Sequence, residues 1–325
     1  LATQVAIGSP AGLCLDGAGN LFVADKSAHR VRRVDPGGRI STVVGTGTMG
    51  FGGDGGPATD AALNAPLGVA VDEDGVLYIA DMKNNRVRRV DPSGVISTVA
   101  GTGTLGSSGD GGPAVQAKLR LPGGVFADGA GNLFIADTGN DRVRKVDAGG
   151  VISTVAGGGS PSDGIGDGTP ATQAKLESPA AVVVDGAGNL FIADTGNHRI
   201  RKVDAGGTIS TVAGTGTAGF SGDGGLATEA AFDGPAGVFV DGTGSLFVAD
   251  ANNGRIRRVG GSGTISTVAG SGSGGADLGD GGPATQARLD APSSVVVDGS
   301  GSLWIADGGN SRIRRVTAGG IIATT

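Results

Sequence analysis

Residues 179–204 decide the fold, and they read Pro-Ala-Ala-Val-Val-Val-Asp-Gly-Ala-Gly-Asn-Leu-Phe-Ile-Ala-Asp-Thr-Gly-Asn-His-Arg-Ile-Arg-Lys-Val-Asp. The stretch occurs six times with small changes, and its Ala-Asp pair recurs every 56 or 57 residues, with the aspartate at Asp25, Asp81, Asp137, Asp194, Asp250 and Asp307. Such a repeat is a supersecondary unit that cannot bury its own apolar faces, so neighbouring copies must pack on one another.

Each repeat contains four short apolar runs with turn residues between them. In the third copy the runs are 124–128, 132–137, 142–147 and 151–156. They have the length and the β-branched content of strands, and Gly, Asp and Asn separate them, which predicts a four-stranded antiparallel meander. The only helical period is a single turn near 113–119. The first two runs are apolar almost throughout, as in strands that are buried on both faces.

Six meanders at a regular spacing predict radial packing, and therefore an all-β six-bladed propeller. Each blade has four antiparallel strands and comes from one continuous segment. The whole chain, 1–325, is then a single propeller domain. The predicted blades are 10–44, 66–100, 122–156, 179–213, 235–269 and 292–325.

Composition excludes several classes of function. The net charge of −6 and the pI near 4.9 give no positive field for a phosphate backbone, so we expect no nucleic-acid partner. No apolar run reaches 18 residues, so we expect no membrane insertion. The single Cys14 lies in an apolar run and reads as a small buried side chain. The chain opens at Leu1, halfway through a connection between blades, which suggests a domain of a longer, processed protein.

The repeated pattern Pro-x-Gly-Val-x-Val-Asp, Gly-Asn-Leu-Phe-Ile-Ala-Asp and Asn-His-Arg-Ile-Arg-Lys-Val resembles the NHL repeat over essentially residues 10–325. Its Asn-x-Arg core stands at Asn85 with Arg86, Asn140 with Arg142, Asn197 with Arg199, Asn253 with Arg255 and Asn310 with Arg312. Blade one departs from it with Ser27-Ala28-His29-Arg30. The long connections are similar to those of large exported bacterial NHL proteins. The resemblance implies a ring used mostly for recognition, although some relatives are amidating lyases and some six-bladed cousins are calcium-dependent lactonases.

The repeated carboxylates raise the question of a metal. The aspartates that end the first strands suit turn capping, and Asp25 with its equivalents should pair with a backbone amide or with the Asn-x-Arg arginine. The connections carry Gly-Asp-Gly motifs, whose aspartates should hold the amides of their own loops. Calcium is the alternative there, since it binds carboxylate and carbonyl oxygens. These calcium candidates are Asp54, Asp110, Asp167, Asp223 and Asp280.

Catalytic groups are scarce in the sequence. The residues that enter the first strands are Gly, Ala, Leu and Ser, none of which binds a metal. His29 and His198 occupy one repeat position in blades one and four, on opposite sides of the ring. The Arg-x-Arg-Arg motifs of the third strands read as a network of partly exposed ion pairs between blades. The sequence therefore favours a protein without catalytic activity and without a cofactor.

Residues that break the sixfold pattern are better candidates for a site. On the top rim, where the connections and the second-to-third turns meet, a cluster of them would form a recognition patch. The candidates are Lys26, His29, Met49, Phe51, Met82, Lys83, Leu105, Ile165, Phe220 and Leu278.

These observations predict a monomeric recognition scaffold that binds a protein, a peptide or a glycan through its top face. It would be the sensor or extracellular part of a larger protein, outside the cell or at its surface. Two alternatives stay open: a metal-dependent lyase or hydrolase with an axial site, and a purely structural surface module.

Overall fold

Each repeat folds into one sheet of four antiparallel strands, and the six sheets surround a central axis lined by their first strands. The computed structural model describes residues 2, 5–161, 164–272 and 278–325. In every sheet the strands follow one another in chain order, so each blade is one continuous segment. The predicted fold class is confirmed: the chain is an all-β six-bladed propeller.

The strands of the first three blades have the following bounds. Blade one contains β1 (Pro10–Leu15), β2 (Leu21–Asp25), β3 (Arg30–Val34) and β4 (Ile40–Val44); blade two contains β5 (Pro66–Val71), β6 (Leu77–Asp81), β7 (Arg86–Val90) and β8 (Ile96–Ala100); blade three contains β9 (Val125–Ala127), β10 (Leu133–Asp137), β11 (Arg142–Val146) and β12 (Ile152–Gly157).

The other three blades repeat the arrangement. Blade four contains β13 (Pro179–Val184), β14 (Leu190–Asp194), β15 (Arg199–Val203) and β16 (Ile209–Ala213); blade five contains β17 (Pro235–Val240), β18 (Leu246–Asp250), β19 (Arg255–Val259) and β20 (Ile265–Ala269); blade six contains β21 (Pro292–Val297), β22 (Leu303–Asp307), β23 (Arg312–Val316) and β24 (Ile322–Thr324).

Short 3₁₀ turns occupy two repeated places. One set follows the second strand, at Lys26–Ala28, Met82–Asn84, Thr138–Asn140 and Thr195–Asn197. The other lies in the connections, at Ala58–Asp60, Ala114–Gln116, Ala171–Gln173, Ala227–Glu229 and Ala284–Gln286. The helical turn predicted near 113–119 is one of these. No helix among the described residues has the length and apolar character to cross a membrane.

Burial between blades explains why the inner strands are apolar throughout. All five residues of β14 and of β18 are buried. Each hydrophobic cluster spans two neighbouring blades; one, for example, joins Ala24 and Val31 of blade one to Leu77 and Ile79 of blade two. A single meander could not remove these faces from water, so the sheets are stable only as a ring.

The ring closes between blades six and one through serine side chains. The hydroxyl of Ser293 donates to the carbonyl of Ala11 at 3.0 Å, and the amide of Leu13 donates to the hydroxyl of Ser294 at 3.2 Å. A hydrophobic cluster that includes Leu13 and Val296 lies beside these bonds. In the part of the chain that the structure describes, closure therefore rests on side chains and packing, and no strand is exchanged between blades six and one.

A β-bulge shapes the outer half of most blades. In blade two Val87 pairs with Ala100 but Arg88 pairs with Thr98, so Val99 is the extra residue on the fourth strand. The same shift occurs between the third and fourth strands of blades one, three, four and five. A bulge re-aims neighbouring side chains. Here it places a threonine opposite the middle arginine of the third strand.

Candidate functional site

A buried arginine fastens each connection to the blade that follows it, in an arrangement that we call the arginine clasp. In blade two, Nη2 of Arg88 donates to Oδ1 of Asp54 at 2.6 Å and to the carbonyl of Gly52 at 3.1 Å. Nη1 of Arg88 lies 3.4 Å from Oδ2 of Asp81, and the hydroxyl of Thr98 donates to Oδ2 of Asp54 at 2.7 Å. One guanidinium thus donates hydrogen bonds to two carboxylates and to a backbone carbonyl.

The clasp recurs in five blades with constant spacing. The connection aspartate lies 34 residues before the arginine in every case. The five arginine side chains are fully buried: Arg88, Arg144, Arg201, Arg257 and Arg314. The expectation of ion pairs between blades was wrong, because each pair joins a blade to its own preceding connection. The pairs are partly exposed as expected, but only on the aspartate side, since the arginine is inaccessible to water and the aspartate is 36–44% exposed.

The aspartate at the end of each second strand has several donors. Oδ1 of Asp81 accepts the backbone amide of Asn64 at 2.7 Å, and Oδ2 accepts Nδ2 of Asn84 at 2.7 Å. The expected backbone pairing is therefore present, but the arginine beside this carboxylate is Arg88, two residues after the Asn-x-Arg arginine. Arg86 instead donates to the carbonyl of Thr102.

Burial shifts the pKa of five of these second-strand aspartates upward. It raises the pKa of the buried carboxyl, while the asparagine, the backbone amide and the arginine oppose the rise. The carboxyls with a raised pKa are Asp81, Asp137, Asp194, Asp307 and Asp250, the last with a pKa of about 6.

The five calcium candidates are the connection aspartates of the clasps. Each has Oδ1 on a buried arginine, and Asp54, Asp110 and Asp280 also accept a threonine hydroxyl through Oδ2. Among the residues that the structure describes, no three His, Cys, Asp or Glu side chains are grouped as a metal site. The arginine supplies the positive charge that a bound cation would supply. Calcium at these aspartates stays a prediction.

In four blades the residue after the second-to-third turn accepts a hydrogen bond from the segment that leads into the next blade on the top rim. Nδ1 of His29 accepts the amide of Ala65 at 3.1 Å, and Nδ1 of His198 accepts the amide of Gly234 at 3.1 Å. In blade two, Oδ1 of Asn85 accepts the amide of Leu121 at 2.9 Å. We call this contact the interblade latch. These latch residues have φ near +50°, which Asn, Asp and His tolerate better than most residues.

Four of the candidate residues meet on the rim of blade two. Met49 pairs with Leu63 in an isolated bridge, and Nδ2 of Asn84, in the turn that contains Met82 and Lys83, donates to the carbonyl of Gly50 at 2.7 Å. Contiguity along the chain places Phe51 beside Gly50. We call Met49, Phe51, Met82 and Lys83 the rim patch. It contains both methionines of the chain.

The rim patch is accessible and partly ordered by arginine. Met49 is 64% exposed and Phe51 is 45% exposed. The guanidinium of Arg86 lies over the ring of Phe51, 3.7 Å from its centroid, and Arg88 lies 4.9 Å away. Stacked arginine holds an aromatic ring that would otherwise turn freely in solvent.

Blade one adds two further candidates at the border of the rim patch. The amide of Lys83 donates to the carbonyl of Asn64, and the next residue, Ala65, donates its amide to His29. Lys26 lies in the same turn as His29. Six of the ten candidate residues therefore belong to segments that border residues 62–65.

The other four candidates lie on separate connections. Leu105, Ile165, Phe220 and Leu278 belong to the connections that lead into blades three, four, five and six. Blade five repeats the backbone of the rim patch, since Arg255 lies 3.8 Å from the centroid of Phe220 and Asn253 donates to the carbonyl of Gly219. Blades two and five stand opposite each other in a six-bladed ring, so Phe51 and Phe220 lie on opposite sides of the axis and cannot form one patch.

Blade five differs from blade two in chemistry. Ala218, Ala251 and Asn252 stand where blade two has Met49, Met82 and Lys83. All ten residues stay predictions as ligand contacts.

The axial channel is a cavity of about 370 Å³ lined by the first strands of all six blades. Glycine, alanine and serine surround its mouth, and Phe126 and Phe239 are among its lining side chains. Cys14 is the one ionisable side chain among the described residues that line it; burial raises the pKa of its thiol, and the charge of Asp16 adds to the rise. A protonated thiol among apolar side chains is a poor nucleophile.

The sequence did not reveal the buried arginines or the stacking of Arg86 on Phe51. A usable signal was present, since the Gly-Asp-Gly aspartate and the middle arginine keep a separation of 34 residues in five repeats. That separation shows only that both residues belong to the repeat unit, and their contact is visible in the folded chain.

Comparison with known proteins identifies the family that the repeat resembles. The family model described as the Teneurin NHL domain matches residues 48–108 and 160–220. Teneurin-1 of Mus musculus is 32% identical over 279 residues, which cover 74% of this chain and 10% of that protein. The chain thus corresponds to a small part of this curated relative.

Two solved structures share the architecture at low identity. An auxiliary nutrient binding protein from Bacteroides thetaiotaomicron superposes with a TM-score of 0.68 at 17% identity, covering 98% of this chain and 70% of that chain. A streptogramin B lyase superposes with a TM-score of 0.60 at 16% identity, covering 99% and 84%. Such likeness extends to the fold alone. With the repeat pattern, the family-model match and six four-stranded blades together, the chain belongs to the NHL-repeat β-propellers.

Proposed function

We propose that this propeller is a non-catalytic recognition module that binds a protein, peptide or glycan through the rim patch on its top face. One observation carries the proposal: both methionines of the chain, an arginine-stacked phenylalanine and an exposed lysine converge on blade two. The equivalent surface of blade five keeps the backbone and the arginine-stacked phenylalanine, but it has two alanines and an asparagine in place of the two methionines and the lysine.

The chemistry of the rim patch favours a peptide segment as ligand. Methionine adapts its shape to a partner, and it is common on surfaces that bind varied peptides. Phe51 offers a fixed aromatic anchor of the kind that dominates interface energies. Lys83 would complement a carboxylate. We therefore expect the ligand to present an apolar side chain next to an acidic group.

The clasps support the proposal because they keep the rim rigid. Arg88 holds the connection that carries Met49 and Phe51, so little conformational entropy is lost when a ligand binds. Extracellular location and bacterial origin are part of the proposal, and so is a role as one module of a larger protein. The fold likeness to a nutrient binding protein is consistent with a binding role, and we propose no lyase from the likeness to the streptogramin enzyme.

The test is a screen of the purified protein against a displayed peptide library and a glycan array, followed by affinity measurement on the selected ligands. The decisive variant carries Met49→Ala, Met82→Ala and Lys83→Asn, which gives blade two the side chains of blade five. We expect it to lose at least tenfold in affinity, about 1.4 kcal/mol. The matched control is Phe220→Ala on blade five, which should bind normally. Ligands that bind the triple variant as well as the wild type would refute the rim patch.

A further inference from the structure

The axial channel encloses enough space for a small organic molecule. Its volume is about 370 Å³. A cavity of about 150 Å³ in another protein holds one benzene molecule, so by proportion this channel has room for about 15 non-hydrogen atoms. Ligand sites in proteins typically begin at about 300 Å³ and are lined mostly by apolar side chains. The channel therefore has the size of a ligand site, and its lining determines which ligand it suits.

The lining favours a ligand without charge. Of the described residues that border the channel, none has a charged side chain. The two serines are already engaged, since Ser293 donates its hydroxyl to the carbonyl of Ala11 and Ser294 accepts the amide of Leu13. Burial raises the pKa of the Cys14 thiol, which therefore stays neutral. A charged ligand would lose its water in this channel without gaining an ionic partner.

One position of the first strand differs in size from blade to blade. It lies two residues before the aspartate that follows the strand, and it borders the channel in all six blades, as Cys14, Ala70, Phe126, Val183, Phe239 and Val296. The two phenylalanines stand in blades three and five, on either side of blade four. The two small side chains stand in blades one and two, across the ring. The free space therefore lies toward blades one and two, and aromatic rings form part of the opposite wall.

Packing holds both phenylalanine rings in place. Phe126 is half-buried and packs against two hydrophobic clusters, and Phe239 is half-buried and packs against two others. Rings that are fixed on two sides form a wall that exists before a ligand arrives, so little entropy is lost on binding. Aromatic walls favour a ligand that contains a ring, through offset stacking or edge-to-face contact.

The inner edge of each first strand can meet a polar group of the ligand. The first strand is an edge strand of its sheet, and a strand that is paired on one side leaves alternate peptide groups without a strand partner. The amide of Leu13, for example, donates to the hydroxyl of Ser294 in blade six. A ligand hydroxyl can pair with such a group. A ligand carboxylate would instead be repelled by the aspartates that follow the six first strands.

We propose that the axial channel binds one uncharged, ring-containing apolar molecule of up to about 15 non-hydrogen atoms. The ring lies beside Phe126 and Phe239, and the rest of the molecule fills the space next to Cys14 and Ala70. This site is separate from the rim patch, and it adds a small-molecule ligand to the recognition function proposed above.

The first test compares a neutral probe with a matched anion. Binding of naphthalene-2-methanol and of naphthalene-2-carboxylate to the whole chain is measured by isothermal titration calorimetry at neutral pH. We expect a Kd of about 0.1–1 mM for the alcohol. The carboxylate should bind at least about tenfold more weakly, because it is charged. No saturable binding of the alcohol, or equal binding of the two probes, would overturn the proposal.

The second test locates the bound probe without any substitution. Nuclear Overhauser effects are recorded between the ring protons of naphthalene-2-methanol and the methyl groups of the labelled protein. We expect them at Leu15 and Val71, which border the channel. Effects at Met49 and Met82 alone would place the probe on the rim patch and refute binding in the channel.

The third test fills the channel. Ala70→Phe gives blade two the residue that blades three and five have at this position, and it should lower the affinity for naphthalene-2-methanol at least about tenfold. The matched control, Ala205→Phe, adds the same ring to an exposed turn of blade four and should bind normally. Phe126→Val, which takes the residue of blades four and six, should weaken binding about threefold through the lost aromatic contact.

Thermal unfolding shows whether each variant is folded. If Ala70→Phe does not fold, Phe126→Val and the Overhauser effects still decide the question. Full affinity in a folded Ala70→Phe variant would refute the site. The variant with Met49→Ala, Met82→Ala and Lys83→Asn should bind the probe as the wild type does, so failure of the rim patch and failure of the channel site are distinguishable.

Discussion

Single side chains in this propeller do structural work that their residue types do not reveal. Arg88 is fully buried, and its charge is shared by Asp54 and Asp81, with carbonyl groups accepting the remaining hydrogens. A buried ion pair is expensive to desolvate, so its partners matter more when one is removed than when all are present. The main effect of the clasp is therefore to fix the position of the connection against its blade, and it adds little net stability.

We predict that Arg88→Ala lowers the free energy of unfolding by about 3 kcal/mol, because it leaves Asp81 buried without its cation. Urea unfolding followed by circular dichroism measures the change. The control, Arg33→Ala, removes an exposed arginine and should change stability by less than about 0.5 kcal/mol. Equal effects from the two variants would show that burial is irrelevant to the clasp.

Titration of Asp250 gives a second prediction at the same scale. Its pKa is about 6 in the folded chain and about 3.9 in an unfolded one, so the folded state binds more protons between these values. The stability contributed by this group is fully present below about pH 4 and is lost as the pH rises through about 6.

The measurement is the unfolding free energy of the wild type minus that of Asp250→Asn, which should fall by about 1–3 kcal/mol from pH 4.5 to pH 7. Asp241→Asn is the control: burial favours a higher pKa for Asp241, but hydrogen bonds from Thr243 and Ser245 together lower it. The corresponding difference should be nearly flat in this range. A flat difference for Asp250→Asn would mean that the buried carboxyl keeps an ordinary pKa.

At the level of elements, the second-to-third turns join neighbouring blades. The same αL position holds His29, Asn85, Asp141 and His198, and each offers an acceptor to an amide that precedes the next blade. The histidines that look like candidate ligands in the sequence are therefore members of a structural series. In these four blades the position holds a side chain that offers an acceptor and tolerates positive φ, whereas blade five has Gly254 there.

The contact of His198 predicts that His198→Asn is tolerated within about 0.5 kcal/mol, whereas His198→Ala costs about 1–2 kcal/mol because it loses the bond to Gly234 and adds αL strain. Thermal or urea unfolding at neutral pH distinguishes the two. Asn85→His in blade two is the reciprocal control and should also be tolerated. If His198→Asn were as unstable as His198→Ala, an acceptor at this position would not explain the contact between blades.

For the whole molecule, the axis limits how closely the blades approach. A Cβ on Gly68 would lie 2.5 Å from the carbonyl oxygen of Gly123, and one on Gly12 would lie 2.5 Å from that of Leu67. Blades four and six have Ala181 and Ser294 at this position. The ring is therefore tightest around blades one to three, and the pseudo-symmetry is broken at the axis as well as at the rim.

We predict that Gly68→Ala destabilises the protein by about 1–3 kcal/mol, since the new Cβ would lie 2.5 Å from the carbonyl oxygen of Gly123 and 2.9 Å from Cα of Gly124, and backbone atoms cannot move aside. The reverse change, Ala181→Gly, should cost no more than about 1 kcal/mol, chiefly through the entropy of the unfolded chain. Paired thermal unfolding curves provide the test. Equal stability of Gly68→Ala and the wild type would show that the blades can separate at no cost.

The regular spacing of a single stretch was enough to predict six meanders packed in a ring, because a repeat with two apolar faces can bury them only against neighbouring copies, and six four-stranded copies fit a propeller. Residue types likewise indicated turn-capping aspartates and the helical turn in each connection. The partners of Arg88 were beyond reach, since Asp54 lies 34 residues away and meets it only when the connection folds back over the blade.

The gathering of Met49, Phe51, Met82 and Lys83, and the separation of Phe220 from them, likewise depend on that folding back. Local pattern determines each unit because backbone propensity and burial act within it. Contacts between a unit and its connection depend on where distant segments meet in space, and so they appear only in the assembled ring.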